Sequence, residues 1–129
     1  MSTELKMLLY SIVLGLIQIV AAAQLATRER GIKWNMGARD AKVPELKGVA
    51  GRFERASKNF LETFPFFAAA ALMVHVTNQS TWISALGAQM YFFARIVYVP
   101  LYAAGIPMIR SLVWLVSLVG LLMVLVPLF

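Results

Sequence analysis

There is no cysteine among the 129 residues of this chain. A disulfide framework, a thiolate metal site and a protein thiol nucleophile are excluded together. Any thiol chemistry must use a thiol that arrives with a substrate. Histidine is nearly absent as well, with His75 the only one. No carboxylate cluster accompanies it, so it makes no metal site. It reads instead as an interfacial residue near the end of an apolar run. Charge is scarce: 14% of residues are charged and 60% are hydrophobic, whereas a soluble domain carries about 25% and 45–50%. No internal repeat and no low-complexity segment is visible. The expectation is an all-α integral membrane protein with one domain, residues 1–129. The net charge of +6 does not point to nucleic acid, because the basic residues gather beside the apolar runs.

What is present is a set of four long apolar runs, at about 7–26, 56–76, 82–104 and 108–129. A spanning helix needs roughly 20 mostly apolar residues, so the chain reads as a four-helix transmembrane bundle. The second run is the odd one. Its clean apolar part, Phe64 to Val76, rises only about 20 Å, against a hydrocarbon core about 30 Å thick. The helix must therefore start earlier, with Asn59 and Glu62 within the membrane's depth. Pro65 and Pro100 lie inside spans, where neighbouring helices can satisfy the carbonyls they free. Gly120, in "LVSLVGLL", suits a close helix approach, and Gln18 suits a role as interhelical glue.

Nine of the twelve Lys and Arg residues fall between positions 28 and 58, and the connection "TNQST" after the second run has none. Lys and Arg favour the cytoplasmic side. The expected loop at about 27–55 is therefore cytoplasmic, and both termini lie on the other side. Arg110, opening the last run, then falls inside too.

The polar residues converge. Arg52, Arg55, Asn59 and Glu62 follow spacings of three, four and three, which on a helix is one face. Tyr91, Arg95, Tyr98 and Tyr102 follow four, three and four. Measured from the outer helix ends, Glu62 lies about 21 Å below Val76, and Arg95 about 20 Å below Trp82. They share a level on neighbouring antiparallel helices. An ionisable residue at that depth costs roughly 2.5–3.5 kcal/mol and faces a partner or a cavity. One reading is a structural Glu62–Arg95 ion pair, with Arg55, Lys58 and Arg110 snorkelling to lipid phosphates. The other starts from the excess of Arg55, Lys58, Arg95 and Arg110 over Glu62, which asks for an anionic ligand.

"ERASKNFLE" at 54–62, followed by "TFPFFAAAAL", resembles the Arg-x-x-x-Asn-x-x-Glu signature of the MAPEG family (membrane-associated proteins in eicosanoid and glutathione metabolism). "ARIVYVPLYAAGIPMIRSLVW" at 94–114 resembles that family's second stretch, in which an Arg-Ser pair opens the last helix. The overall likeness is to its bacterial branch, akin to the microsomal glutathione transferases. The resemblance implies a homotrimer in a bacterial inner membrane, with glutathione as co-substrate between subunits near the cytoplasmic side and no metal. It implies that Arg55, Lys58, Asn59 and Glu62 contact glutathione from the second span, and Tyr98 and Tyr102 from the third. Arg28 contributes from the end of the first. Arg95 adds to the cationic zone, and Arg110 and Ser111 lie at the thiol. Lys58, Tyr98 and Trp114 stand where prostaglandin-forming members carry arginine, histidine and tyrosine. These departures bear on eicosanoid chemistry more than on glutathione binding.

Glutathione carries two carboxylates and one ammonium, a net anion that Arg and Lys match and whose ammonium Glu62 matches. An adjacent guanidinium lowers a thiol pKa from near 8.5. The implied activity is a glutathione-dependent transferase or peroxidase that attacks a lipophilic electrophile or hydroperoxide entering from the lipid bilayer. The alternative on the same fold is a non-catalytic lipid- or glutathione-binding membrane protein. A four-span proton-coupled exporter would be expected to carry a carboxylate in its first span, and 7–26 has none.

Overall fold

The computed structural model describes residues 1–40 and 42–129, and every element among them is helical. The order is α1 (Thr3–Arg30), α2 (Ile32–Met36), α3 (Gly48–Val76), α4 (Trp82–Ala103) and α5 (Pro107–Leu125), closed by a 3₁₀ turn at Val126–Leu128. The sequence itself marks the boundaries. Ser2 caps α1, its hydroxyl accepting from the Leu5 amide at 3.2 Å. Thr81 and Ser84 cap α4 reciprocally, and Pro107 sits in the first turn of α5, where its missing amide costs nothing.

Two boundaries differ from the reading of the apolar runs. α1 continues past residue 26 to Arg30, because nothing before Gly31 breaks a helix and two arginines in its last turn favour the dipole. Gly31 then adopts φ 93°, a conformation that ends the helix and costs glycine little. α3 starts at Gly48 rather than near 56, so Arg52, Arg55 and Lys58 ride on a helix. The connection between α1 and α3 shrinks from about 27–55 to 31–47.

α1, α3 and the segment Pro107–Leu128 are each long and apolar enough to cross a membrane. α4 has 22 residues, but Gln89, Arg95 and the spaced tyrosines Tyr91, Tyr98 and Tyr102 hold its hydropathy down. Leu9, Ile12, Val13, Leu16, Ile17 and Val20 of α1 all face outward, as suits a helix solvated by lipid.

Between helices in lipid the hydrophobic effect contributes little, and close packing decides. Two contacts show this. α4 and α5 touch at Gly87 and Gly120, where a methyl group on either residue would stand 2.5 Å from the other's carbonyl oxygen. α1 meets α3 where Gly15 takes the Phe60 ring. α3 meets α4 where Phe67 stacks on Tyr91 at 4.1 Å and the Tyr91 hydroxyl shares a hydrogen bond with Thr63 at 3.0 Å. Pro65 and Pro100 are accommodated inside α3 and α4.

Candidate functional site

The polar residues meet where the N-terminal half of α3 and the C-terminal half of α4 face the start of α5. The turn that joins α4 to α5 is fixed first. Gly105 has φ 75°, and the Arg52 Nε of α3 donates to the Ala103 carbonyl at 2.7 Å. Arg52 thus caps the end of α4 and holds the turn that carries Arg110. The Arg110 guanidinium lies over the Tyr102 ring, 4.5 Å from its centre, and that of Arg55 lies 5.9 Å from the same ring. Tyr102 packs edge-on against Tyr98, with centres 5.6 Å apart. Arg95 is one turn further in, 4.4 Å from the Tyr98 ring and 5.5 Å from Phe60. Three helices therefore place Arg55, Arg95 and Arg110 around two tyrosines.

Arg95 is the unusual member. It is only 1% exposed, and none of its three guanidinium nitrogens has a hydrogen-bond partner. The Glu62–Arg95 ion pair is not formed: Lys58 and Glu54, at 3.2 Å, make the one ion pair among the described residues. Glu62 is exposed on the outer face of α3. The expected pair fails because Arg95 is buried while Glu62 lies on the exposed side of α3. Asn59, half-buried beside it, also has a buried carboxamide oxygen without a partner. A buried cation satisfied only by ring faces is costly without an anion. Arg95→Met is therefore expected to stabilise the ligand-free protein in detergent, by about 1–4 kcal/mol, measured as a raised melting temperature. Glu62→Gln, at an exposed position, is expected to shift stability by no more than about 0.5 kcal/mol in the same assay.

The remaining predicted residues lie further apart. Lys58 and Arg55 line a cavity of about 190 Å³ with Arg30, Glu45 and Glu54. Arg28 faces a different cleft, beside Thr27 and Asn35. Ser111 is exposed, and its hydroxyl donates to the Pro107 carbonyl one turn earlier, at 3.2 Å. Arg30 was not foreseen. Its signal was the i, i+4 spacing to Trp34, over whose ring its guanidinium lies at 4.8 Å. Glu4 was missed too. It is buried within α1, where it accepts from the Ser80 and Ser84 hydroxyls at 2.7 and 2.5 Å. Helix α1 carries carboxylates only in its first and last turns, Glu4 and Glu29, and none in 7–26; Glu4 is tied to the α3–α4 connection and the start of α4. Gln18 is buried but does not join helices by a hydrogen bond: its amide nitrogen donates to the Leu14 carbonyl of its own helix at 3.4 Å, and its carboxamide oxygen has no partner.

No group of His, Cys, Asp or Glu among the described residues has the arrangement of a metal site. Compared with known proteins, the chain is matched over residues 7–129 by the model of the MAPEG family. Searches of curated proteins and of solved structures each return no match.

Proposed function

The chain belongs to the MAPEG family of membrane proteins, and from that membership we propose a glutathione-dependent transferase or peroxidase acting on a lipophilic substrate within the bilayer. The family includes such enzymes alongside other members. The observation that carries the reading is the set Arg55, Arg95 and Arg110 around Tyr98 and Tyr102, with the buried Arg95 unpartnered. That set fits a net anion bearing two carboxylates. Glutathione is such an anion, and when bound it supplies the thiol for the chemistry.

In this reading α4 is a fourth span and the protein is a homotrimer in a bacterial inner membrane, with both termini on the non-cytoplasmic side. The exposure of Arg55, Lys58 and Glu62 on one protomer supports assembly, since charges at membrane depth need a neighbour or a ligand. The site then completes itself between subunits. Arg55, Lys58 and Arg95 bind carboxylates, Glu62 takes the ammonium, and Asn59 and the tyrosines orient the peptide, with Arg28 reaching in from a neighbour. Arg110 holds the thiol as thiolate. Ser111 exchanges its bond to Pro107 for one to sulfur.

The direct test uses the protein purified in detergent. Glutathione binding is measured by calorimetry, followed by turnover of a chloronitroarene and of a lipid hydroperoxide. Binding with turnover of either supports the enzyme. Binding without turnover of both transfers the proposal to a glutathione-binding protein of the same fold. Absence of binding rejects both.

A further inference from the structure

We propose that α2 and the cations around it form a docking surface for anionic phospholipid headgroups, at the membrane face where α1 ends. The argument begins with what α2 exposes. Ile32 and Met36 are four residues apart, on one face of the five-residue helix, and are 66% and 81% exposed. Two large apolar side chains so exposed, in a segment this short, have no protein core to join.

The opposite face of α2 is held firmly. The Trp34 ring lies under Arg30 at 4.8 Å and under Arg39 at 5.1 Å. Arg39 also donates to the Asn35 carbonyl from Nε and Nη2, at 3.1 and 3.0 Å. The Arg30 Nη2 donates to the Pro44 carbonyl at 3.2 Å, and the Lys47 amide donates to the Glu29 carboxylate at 3.2 and 3.3 Å. The connection is therefore pinned to the end of α1 at Trp34 and again beyond α2, at Pro44 and Lys47. Ile32 and Met36 point outward because Trp34 is pinned inward.

Position supplies the partner. The apolar run of α1 ends at Ala26, six residues before Ile32. Those six rise only about 9 Å, and the headgroup layer on each side of the hydrocarbon is on the order of 5–7 Å thick. Gly31, at φ 93°, ends α1 there, so α2 begins within the reach of that layer. Lys33, Arg39 and Lys42 are exposed around it, with Glu29 and Asp40 the nearest opposing charges in the chain. Apolar side chains entering the acyl boundary below a fringe of cations are the recipe for binding an anionic leaflet. The surface is separate from the three-arginine site. It adjoins that site through Arg30, which stacks on Trp34 and also lines the cavity with Arg55 and Lys58.

The test is lipid retention by the full-length protein. Protein exchanged into detergent with equal phosphatidylglycerol and phosphatidylcholine is released into a native mass spectrometer. The parent is expected to retain phosphatidylglycerol at least severalfold over phosphatidylcholine. Lys33→Glu with Lys42→Glu should erase that preference. Ile32→Ser with Met36→Ser should reduce retention of phosphatidylglycerol severalfold. Both pairs are exposed, and unchanged melting temperatures will confirm that the variants fold. Equal retention of the two lipids by the parent overturns the proposal, as does a preference that survives both variants. Amide exchange over residues 31–40 in nanodiscs is a second reading: slower exchange with phosphatidylglycerol is expected, and identical exchange in the two lipids counts against it.

Discussion

Arg110→Ala should leave the glutathione dissociation constant within several-fold and cut turnover by tenfold or more near neutral pH. The two outcomes separate because the residue sits on a different helix from the other cations. Arg110 opens α5 and rests on the Tyr102 ring, while Arg55, Lys58 and Arg95 belong to α3 and α4 and remain to hold carboxylates. Its expected task is to favour the ionised thiol. Each unit of thiol pKa that it holds down is worth about 1.4 kcal/mol, or tenfold in thiolate when the pKa lies above the working pH. Removing it should raise the bound thiol's pKa by at least one unit, so the loss should shrink as the pH is raised past that value. Thiolate absorbance near 240 nm, titrated in parent and variant, reads this directly. An unchanged titration with unchanged turnover removes Arg110 from the mechanism. A parent that shows no thiolate below about pH 8 favours the binding protein over the enzyme.

The other large effect is expected at Gly87, far from the arginines. Gly87→Leu should destabilise the protein by about 1–3 kcal/mol or more and impair activity together with folding. A side chain there begins 2.5 Å from the Gly120 carbonyl and 2.6 Å from the Met123 Cβ. The first of these is backbone, so the helices must separate rather than a rotamer change. Spreading the α4–α5 hairpin also moves Arg110 away from Tyr102, whose contact spans these two helices. Leu86→Ala, next to it but facing outward, should change stability by no more than about 0.5 kcal/mol. Melting temperatures in one detergent decide the matter: similar losses at both positions would mean that the glycine contact is not what holds the hairpin.

Much of this protein could be read from residue order because its physics is local. Scarce charge and long apolar runs specify a membrane environment, since buried backbone in lipid must be helical. The 3.6-residue period puts Tyr91, Arg95 and Tyr98 on one face of α4, and all three are buried there. The motifs at 54–62 and 94–114 carry the family, whose model covers 7–129. The polar stretch ahead of Phe64 belongs to a helix because the apolar part alone is too short to span.

Periodicity names a face but not what that face meets, and here the tertiary structure decided. Counting residues puts Glu62 and Arg95 at one level, yet the rotation of α3 leaves the acid exposed and the guanidinium among rings. That rotation is set by contacts such as Gly15 with Phe60, between residues 45 positions apart. Glu4 reads as an ordinary first-turn acid until Ser80 and Ser84 arrive from the α3–α4 connection and the start of α4. Gly87 gave no signal of its own, because a close approach needs both glycines and only packing pairs it with Gly120. Arg30 joins Arg55 and Lys58 around one cavity only because the connection folds back over the end of α1. In each case the deciding interaction joins residues distant in sequence, where side-chain spacing along one helix carries no information about its neighbour.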